Sequence, residues 1–278
     1  MTVVLLHPGA MGASIGAALT GNGHDVTWVS AGRSEATRER AERAGLKDAG
    51  YLAEALADAE MAFSVCPPEA AVELATQVAE TGFEGLYVDA NAVSPATARR
   101  IEGLHGKCLV DGGIIGPPAW RPGVTRLYLS GPRAETVAAL FEGSLMDARA
   151  IDGGVGAASA VKMCYAAFTK GSSALLLGIR AVAESNGVTD QLLAEWDISQ
   201  AGLGARSAGT AKSTSPKAWR FEGEMLEIAS TFAEAGLPDQ FHKAAAEIYS
   251  RMAGLKHAEG GADLDTVIGA LLQRHDTE

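Results

Sequence analysis

Cysteine is scarce. Three residues, Cys66, Cys108 and Cys164, form an odd set without metal-ligand spacing, which excludes a disulfide framework and a structural zinc site. Each lies in an apolar run that reads as core, as expected of reduced thiols in a cytoplasmic protein. No run of Lys or Arg occurs either: 23 basic side chains stand against 34 acidic ones, for a net charge of -11. So acidic a surface repels nucleic-acid phosphates and anionic lipid, and any anionic ligand must be held by local backbone donors and a few placed cations. Long hydrophobic runs are missing too. The opening apolar stretch ends at His7, Pro8 and Gly9 and has no basic flank, so it reads as a first strand and not as a signal peptide or membrane span. His24, His105, His242 and His257 have no carboxylate or cysteine partners at ligand spacing, and no metal is expected.

What is present is a globular balance of 47% hydrophobic and 21% charged residues, which predicts a chain that folds throughout. Its 278 residues exceed the usual single domain, and the texture divides in two. Up to residue 152, short apolar runs alternate with helical patterns: VVLL at 3–6, VTWV at 26–29, MAFSV at 61–65, GLYVD at 85–89, CLVD at 108–111 and RLYLS at 126–130. Between them Ala13–Gly21, Ser34–Ala44, Glu69–Thr81 and Pro95–Leu104 carry apolar residues at helical spacing. This alternation predicts an α/β Rossmann domain, doubly wound on a mostly parallel sheet, over residues 1–152. After Gly153, Gly154 and Gly156 the strand-like runs give way to Ala-, Leu- and Glu-rich segments, which predicts an all-α domain over 153–278. Its first helix, Ala157–Ser185, is apolar nearly all round and should be buried on several sides, in part by a second copy of the chain. Further helices are expected at Asp190–Leu203, Pro216–Ala235, Pro238–Ala253 and Asp263–Gln273.

The first strand–helix junction reads His7-Pro8-Gly9-Ala10-Met11-Gly12. There Gly9 lets the backbone approach a pyrophosphate, Gly12 allows close packing, and the helix N-terminus offers unpaired N–H groups with partial positive charge. His7 takes the place of the first glycine of GxGxxG. The spacing also suits an ordinary turn; its position at the head of an alternating α/β pattern is what favours dinucleotide binding. An NAD site tends to carry a carboxylate at the end of the second strand, but the sequence here is Val29-Ser30-Ala31-Gly32-Arg33-Ser34. Arg33 with Ser30 and Ser34 suits a ribose 2′-phosphate and hence NADP(H). Alternatively Ser34 caps the next helix and Arg33 is solvated. The missing carboxylate also argues against an S-adenosylmethionine-dependent methyltransferase.

Together with later segments, these residues resemble the β-hydroxyacid dehydrogenase superfamily, which includes 6-phosphogluconate dehydrogenases, hydroxyisobutyrate dehydrogenases and imine reductases. The resemblance spans nearly the whole chain and is greatest to small bacterial 6-phosphogluconate dehydrogenase-like proteins whose C-terminal domain has no settled function. VVLLHPGAMG is similar to the family's first strand and turn, FSVCPP to its fourth strand and YVDANAVSP to its fifth, which would bring Cys66, Pro67 and Asn91 to the cofactor. Val110–Pro118 resembles the substrate-binding loop after the sixth strand and would bring Gly112, Gly113, Ile115 and Gly116 to the substrate. Ile115-Gly116-Pro117 stands where the family often has a serine and two glycines, and the segment also fits a rigid turn. Gly156 to Met163 is similar to the family's catalytic-lysine segment, with Ala166 in place of its asparagine.

The resemblance implies hydride exchange between a nicotinamide and a small hydroxyacid or alcohol, or its carbonyl, with Lys162 as proton donor or acceptor. Apolar neighbours would disfavour its ammonium form; a lysine snorkelling out of its helix is the plainer alternative. Lys170 stands two turns later, and Glu224 falls in a segment loosely similar to one that faces cofactor and substrate. Both are assigned to the substrate, although either position also suits a solvated charge. An imine or aldehyde reductase is the second reading and a non-catalytic NADP(H)-binding sensor the third. Asp89 is expected to cap a turn, and Cys164 to be a buried, inert thiol. The expected partners are a small-molecule substrate and a second copy of the chain, in a homodimer through the helical domain, with neither nucleic acid nor membrane.

Overall fold

The computed structural model describes residues 1–273, and it divides into two compact units, Met1–Met163 and Cys164 onward. In the first, β1 (Thr2–Leu5), β2 (Asp25–Trp28), β3 (Lys47–Asp48), β4 (Met61–Ser64), β5 (Leu86–Asp89), β6 (Leu109–Ile115), β7 (Arg126–Ser130) and β8 (Asp147–Ala150) form one sheet. The order is β3-β2-β1-β4-β5-β6-β7-β8, and every neighbouring pair is parallel except β6 with β7. Helices α1 (Ala10–Gly21), α2 (Glu35–Arg43), α3 (Leu52–Leu56), α4 (Pro68–Glu80), α5 (Pro95–His105) and α6 (Ala134–Ala139) complete the unit.

Successive side chains of a strand point to opposite faces, and the two cores follow that rule. Val3, Leu5, Trp28, Phe63 and Val88 pack on one face; Val4, Leu6, Val29, Ala62 and Tyr87 pack on the other. Burial on both faces is why the strands read as continuous apolar runs and not as alternating ones. All six expected strands are present. β3 and β8 were not expected, because neither carries an apolar run: both residues of β3 are exposed, and β8 is half-buried at best.

The chain order reverses between β1 and β4, the switch point at which the C-terminal ends of two neighbouring strands open a crevice for ligands. His7 to Gly12 follow β1 there, and Cys66 and Pro67 follow β4, with the Leu6 N–H donating to the Phe63 carbonyl at 3.0 Å. The segment expected as a loop after the sixth strand is corrected: Gly112 to Ile115 lie inside β6, paired with β7. Gly116, at φ +125°, makes the turn that follows, where a Cβ would meet the Val124 carbonyl.

The long helix α7 (Ala157–Ser185) has the expected bounds, and its start is held by a carboxylate on the sheet. Asp111, fully buried on β6, accepts from the N–H groups of Gly156 and Ser159 at 3.0 Å each, from Ser159 Oγ at 2.6 Å and from Ser130 Oγ at 2.9 Å. The Ser130 hydroxyl in turn accepts from the Ala158 N–H at 3.0 Å. Backbone donors that a helix start leaves unpaired are thus satisfied by β6 and β7, and a negative charge sits where the helix dipole favours it. For this reason the compact unit runs to Met163, past the change of texture at residue 152.

The second unit contains the rest of α7 with α8 (Thr189–Ser199), α9 (Leu203–Thr214), α10 (Ala218–Glu234), α11 (Gln240–Arg251) and α12 (Leu264–Leu272). Met225, Ile228 and Ala229 of α10 and Ala245, Ala246 and Tyr249 of α11 are buried. α9 was not expected, because the residues it buries are Ser207, Ala211 and Thr214, which give no apolar periodicity. One expectation for α7 is corrected: Cys164 is exposed and not buried. Tyr165, Phe168, Leu175 and Val182 are exposed as well, so the helix presents an open apolar stripe that one chain leaves uncovered. No described helix is long and apolar enough to cross a membrane.

Replacing Asp111 by Ala leaves buried N–H donors without acceptors and should lower the unfolding free energy by roughly 2–4 kcal/mol. Urea denaturation measures it, and a loss under about 0.5 kcal/mol, the level of an ordinary surface substitution, would remove Asp111 as the anchor of α7.

Candidate functional site

The glycine turn is built for close approach from two sides. A Cβ on Gly12 would lie 2.1 Å from the His7 carbonyl oxygen, so only glycine lets α1 sit this close to the end of β1. A Cβ on Gly9 would meet nothing within 4 Å, so that flank of the turn is open. Gly9 is the N-cap of α1 and no side chain caps the helix. The first N–H groups of α1, at Ala10, Met11 and Gly12, are left to an external acceptor. The segment after β6 is tied to the same helix, with the Ala119 N–H donating to Ser14 Oγ at 3.0 Å. A cavity of about 350 Å³ opens beside it, lined by Ala10, Ala13, Arg40, Arg43 and Trp120.

Two basic groups reach the turn. Arg33 is half-buried, and its Nε is enclosed without a hydrogen-bond partner. Arg40 of α2, which the sequence pattern did not single out, donates from Nε to the Pro8 carbonyl at 3.3 Å and from Nη2 to Thr37 Oγ1 at 2.9 Å. Its signal was available only as a basic residue two turns into the helix after the second strand. His7 Nδ1 is likewise buried and unpartnered. Burial first, and the charge of Arg33 second, lower the His7 pKa from 6.5 to about 4, so the ring is neutral at pH 7.

The two serines assigned with Arg33 are engaged locally. Ser30 is buried and its side chain bonds Asp48, whose carboxyl is held below its usual range by Ser30, by the Gly50 N–H and by Arg38. Ser34 Oγ pairs with Thr37 Oγ1 at 3.1 Å and caps no N–H group. Asp48 is a carboxylate that the sequence reading missed. It stands beside Trp28 of β2 through the β3 pairing, but Arg38 Nη1 holds it at 2.7 Å. Only the sheet pairing brings it there; nothing in the local pattern of Lys47-Asp48 marks a strand.

Asn91 is 2% exposed and works inward. Its Oδ1 accepts from the Cys66 N–H at 2.5 Å, and its Nδ2 donates to Ser64 Oγ at 3.0 Å and to Asp89 Oδ2 at 2.9 Å. It fixes the backbone at Cys66 and Pro67, at the head of α4. Asp89 also accepts from the Asn91 N–H at 3.1 Å, as a turn cap does. Burial, with the nearby charge of Asp89, pushes the Cys66 thiol up to about 12, so it carries no thiolate for chemistry.

Lys162 lies in the second turn of α7 and is half-buried. A Cβ on Gly113 would fall 2.5 Å from the Ala158 carbonyl and 2.9 Å from Lys162 Cβ. Gly113 therefore lets α7 rest on β6 with the lysine stem against the strand. Gly112 packs in the same way on Asp89 and Ala90. These glycines are explained by packing. Lys170 and Glu224 lie in the second unit and hold each other, with Nζ 2.8 Å from the carboxylate and side chains 13% and 11% exposed. Lys170 Nζ also lies 4.6 Å over the Phe221 ring, so neither residue is a solvated surface charge. Among the described residues no three His, Cys, Asp or Glu side chains gather as metal ligands would.

Residues 183–252 match the family described as "Domain of unknown function (DUF1932)". An uncharacterised 28.5 kDa protein in the 7S RNA 5′ region of Methanothermus fervidus is 31% identical over 163 residues. That match covers 58% of this chain and 63% of the relative, less than two thirds of its length. The conserved protein MTH1747, of unknown function and structurally similar to 3-hydroxyacid dehydrogenases, superposes with a TM-score of 0.65 at 25% identity over 94% of this chain and 100% of that one. Mycobacterium tuberculosis 3-hydroxyisobutyrate dehydrogenase, solved with L-serine, gives 0.67 at 19% identity over 98% and 99% of the two chains. A reductive aminase from Aspergillus terreus, solved with NADPH and ethyl levulinate, gives 0.53 at 19% over 96% and 98%. The chain thus has the hydroxyacid dehydrogenase fold and carries a DUF1932 segment within its helical unit.

The buried His7 makes stability depend on pH. Its folded pKa of about 4 lies below the unfolded 6.5, so the unfolded chain takes up the proton first. Stability should fall as the pH drops from about 6.5 to about 4 and level off below, by on the order of 2 kcal/mol from this group. Melting curves of wild type and His7→Gln across that range test it. Parallel pH dependence in the two proteins would contradict the assignment.

Proposed function

We propose that the chain is an NADP(H)-dependent oxidoreductase that exchanges a hydride between the nicotinamide and a small hydroxyacid or alcohol, or the corresponding carbonyl. The observation that carries the reading is the switch-point turn: an uncapped α1 start with an open flank at Gly9, beside an enclosed guanidinium nitrogen of Arg33 without a partner. Both are donors waiting for an anion, in a chain whose net charge of -11 otherwise repels one. The fold shared with a 3-hydroxyisobutyrate dehydrogenase and with a reductive aminase solved with NADPH supports the same reading.

The N–H groups of Ala10, Met11 and Gly12 hold the pyrophosphate. Arg33, with Arg40 behind the turn, neutralises the 2′-phosphate. Asn91 sets the Cys66-Pro67 backbone that borders the site. When bound, the nicotinamide supplies or takes the hydride, and Lys162 gives a proton to the substrate oxygen on reduction or accepts it on oxidation. Imine or aldehyde reduction is the second reading. It is favoured by Ala166, buried at 1% exposure, which offers no amide to orient a hydroxyacid.

Calorimetric titration should show NADPH binding more tightly than NADH. Arg33→Ala should weaken NADPH about ten- to a hundredfold, the loss of one or two charge-assisted hydrogen bonds, while changing NADH little. Lys162→Ala should cut turnover by roughly 10²–10⁴ and leave NADPH affinity intact. If neither nucleotide binds, the proposal fails; if NADPH binds and no hydroxyacid, imine or aldehyde oxidises or reduces the cofactor, a nucleotide sensor replaces the enzyme.

We also infer a homodimer through the helical unit. Tyr165, Phe168, Leu175, Ile179 and Val182 follow one another on α7 at steps of three, seven, four and three residues and are 37–72% exposed. The last three line an apolar groove of about 400 Å³ between α7 and α11, with Gly178, Phe241 and Ile248 among its other walls. An exposed apolar face of this kind marks an interface, and the same face on a second copy supplies a matching partner in a two-fold contact. Sedimentation should give a dimer, and a Phe168→Glu, Val182→Lys double variant a monomer. A wild-type chain that sediments as a monomer at micromolar concentration would dismiss it.

A further inference from the structure

Arg180 of α7 is 7% exposed, and no other lysine or arginine among the described residues is buried so far. Its Nη1 donates to Ser207 Oγ of α9 at 2.6 Å, and that hydroxyl donates onward to the Gly204 carbonyl at 2.6 Å. Nε is enclosed without a partner. No hydrogen bond to Nη2 and no carboxylate within ion-pair distance is found among the described residues. The contrast with Lys170, the other deeply placed cation of this unit, is direct: Lys170 meets the Glu224 carboxylate at 2.8 Å, whereas Arg180 meets one neutral hydroxyl.

A guanidinium keeps its charge at any working pH, and an enclosed charge without a counter-ion is strongly disfavoured. Such a group is stable when an anion completes it. Ser207 occupies the Nη1 side and leaves the Nε–Nη2 edge, whose two parallel N–H groups match the two oxygens of a carboxylate. One positive charge suits one negative charge, and the strongly acidic chain opposes a dianion such as phosphate. Ser207 is carried by α9. α9 starts at Gly202 in the left-handed region with no side-chain cap, and it contains Gly204 and Gly209, residues of low helix propensity.

We propose that Arg180 and Ser207 form a second ligand site, within the helical unit, that binds a small carboxylate on the Nε–Nη2 edge of Arg180. The site does not depend on the oxidoreductase reading, since it uses no residue assigned to nucleotide or to proton transfer. It also gives the segment matched as a domain of unknown function, residues 183–252, a place in ligand binding, because Ser207 lies inside that segment.

Thermal melting of the full chain without nucleotide tests it, with sodium propionate, propionamide, sodium chloride and inorganic phosphate as probes at matched ionic strength. Propionate should raise the melting temperature saturably, and propionamide and chloride should not. Arg180→Met should abolish the response and, without propionate, melt no lower than wild type, since it removes an unanswered charge. Ser207→Ala, a smaller change that keeps the arginine, should raise the half-saturating propionate concentration about five- to tenfold, the loss of one supporting hydrogen bond; this decides the matter should Arg180→Met fail to fold. A wild type indifferent to propionate overturns the site, and a response unchanged in both variants does so too. Phosphate acting at lower concentration than propionate overturns the carboxylate assignment. If propionate does nothing and Arg180→Met converts a dimer to monomer in sedimentation, the counter-ion is a carboxylate of the second copy and the ligand site is refuted.

Discussion

The first unit and the site it carries depend on one buried carboxylate. Asp111 has no solvent contact and would be costly to enclose alone, but it takes four hydrogen bonds, from Ser130, Gly156 and Ser159. Three of them come from the opening turn of α7, and the fourth orients the hydroxyl that satisfies Ala158. The helix is therefore registered against β6 and β7 by a polar lock, which fixes azimuth as well as distance. Hydrophobic packing alone, being non-directional, would leave the rotation of a helix rich in alanine weakly determined. Since Lys162 follows Ser159 by three residues, its direction is inherited from that lock.

The same division between positioning and contact runs through the crevice at the switch point. Asn91, Asp89 and Ser64 bond to one another or to nearby backbone at the ends of β4 and β5, and Ser30 bonds Asp48 just past β2. What faces outward is less elaborate: helix N–H groups, the bare flank of Gly9, and the guanidinium of Arg33. Such an arrangement offers charge-binding backbone donors and needs few side chains, which suits a chain so rich in acidic residues.

Much of the fold was legible because its elements are written in apolar periodicity. The six strands with apolar runs and the helix Ala157–Ser185 appear where they were expected. Elements held by other forces were invisible: β3 exists through its pairing with β2, and α9 through small polar residues such as Ser207. The turn at Gly9–Gly12 and the position of Arg33 could be read locally, since both follow a strand in a contiguous stretch. Arg40, Asp48 and Asp111 could not, because each acts across a sheet or between elements far apart in the chain. The glycines at 112 and 113 misled for a related reason. In sequence they look like a ligand loop or a rigid turn, whereas in β6 they are spaces into which Ala90 and α7 fit. Cys164 was misplaced because an all-round apolar helix cannot announce which of its faces is left uncovered.

Gly113 has a consequence for how this scaffold can vary. The height of the lysine above the strand is set by a hydrogen atom, the smallest spacer that an amino acid offers, so no larger residue can be accommodated there without lifting the Lys162 stem away from the sheet. Adaptation to a new substrate would have to come from the walls around the lysine, with its floor left untouched.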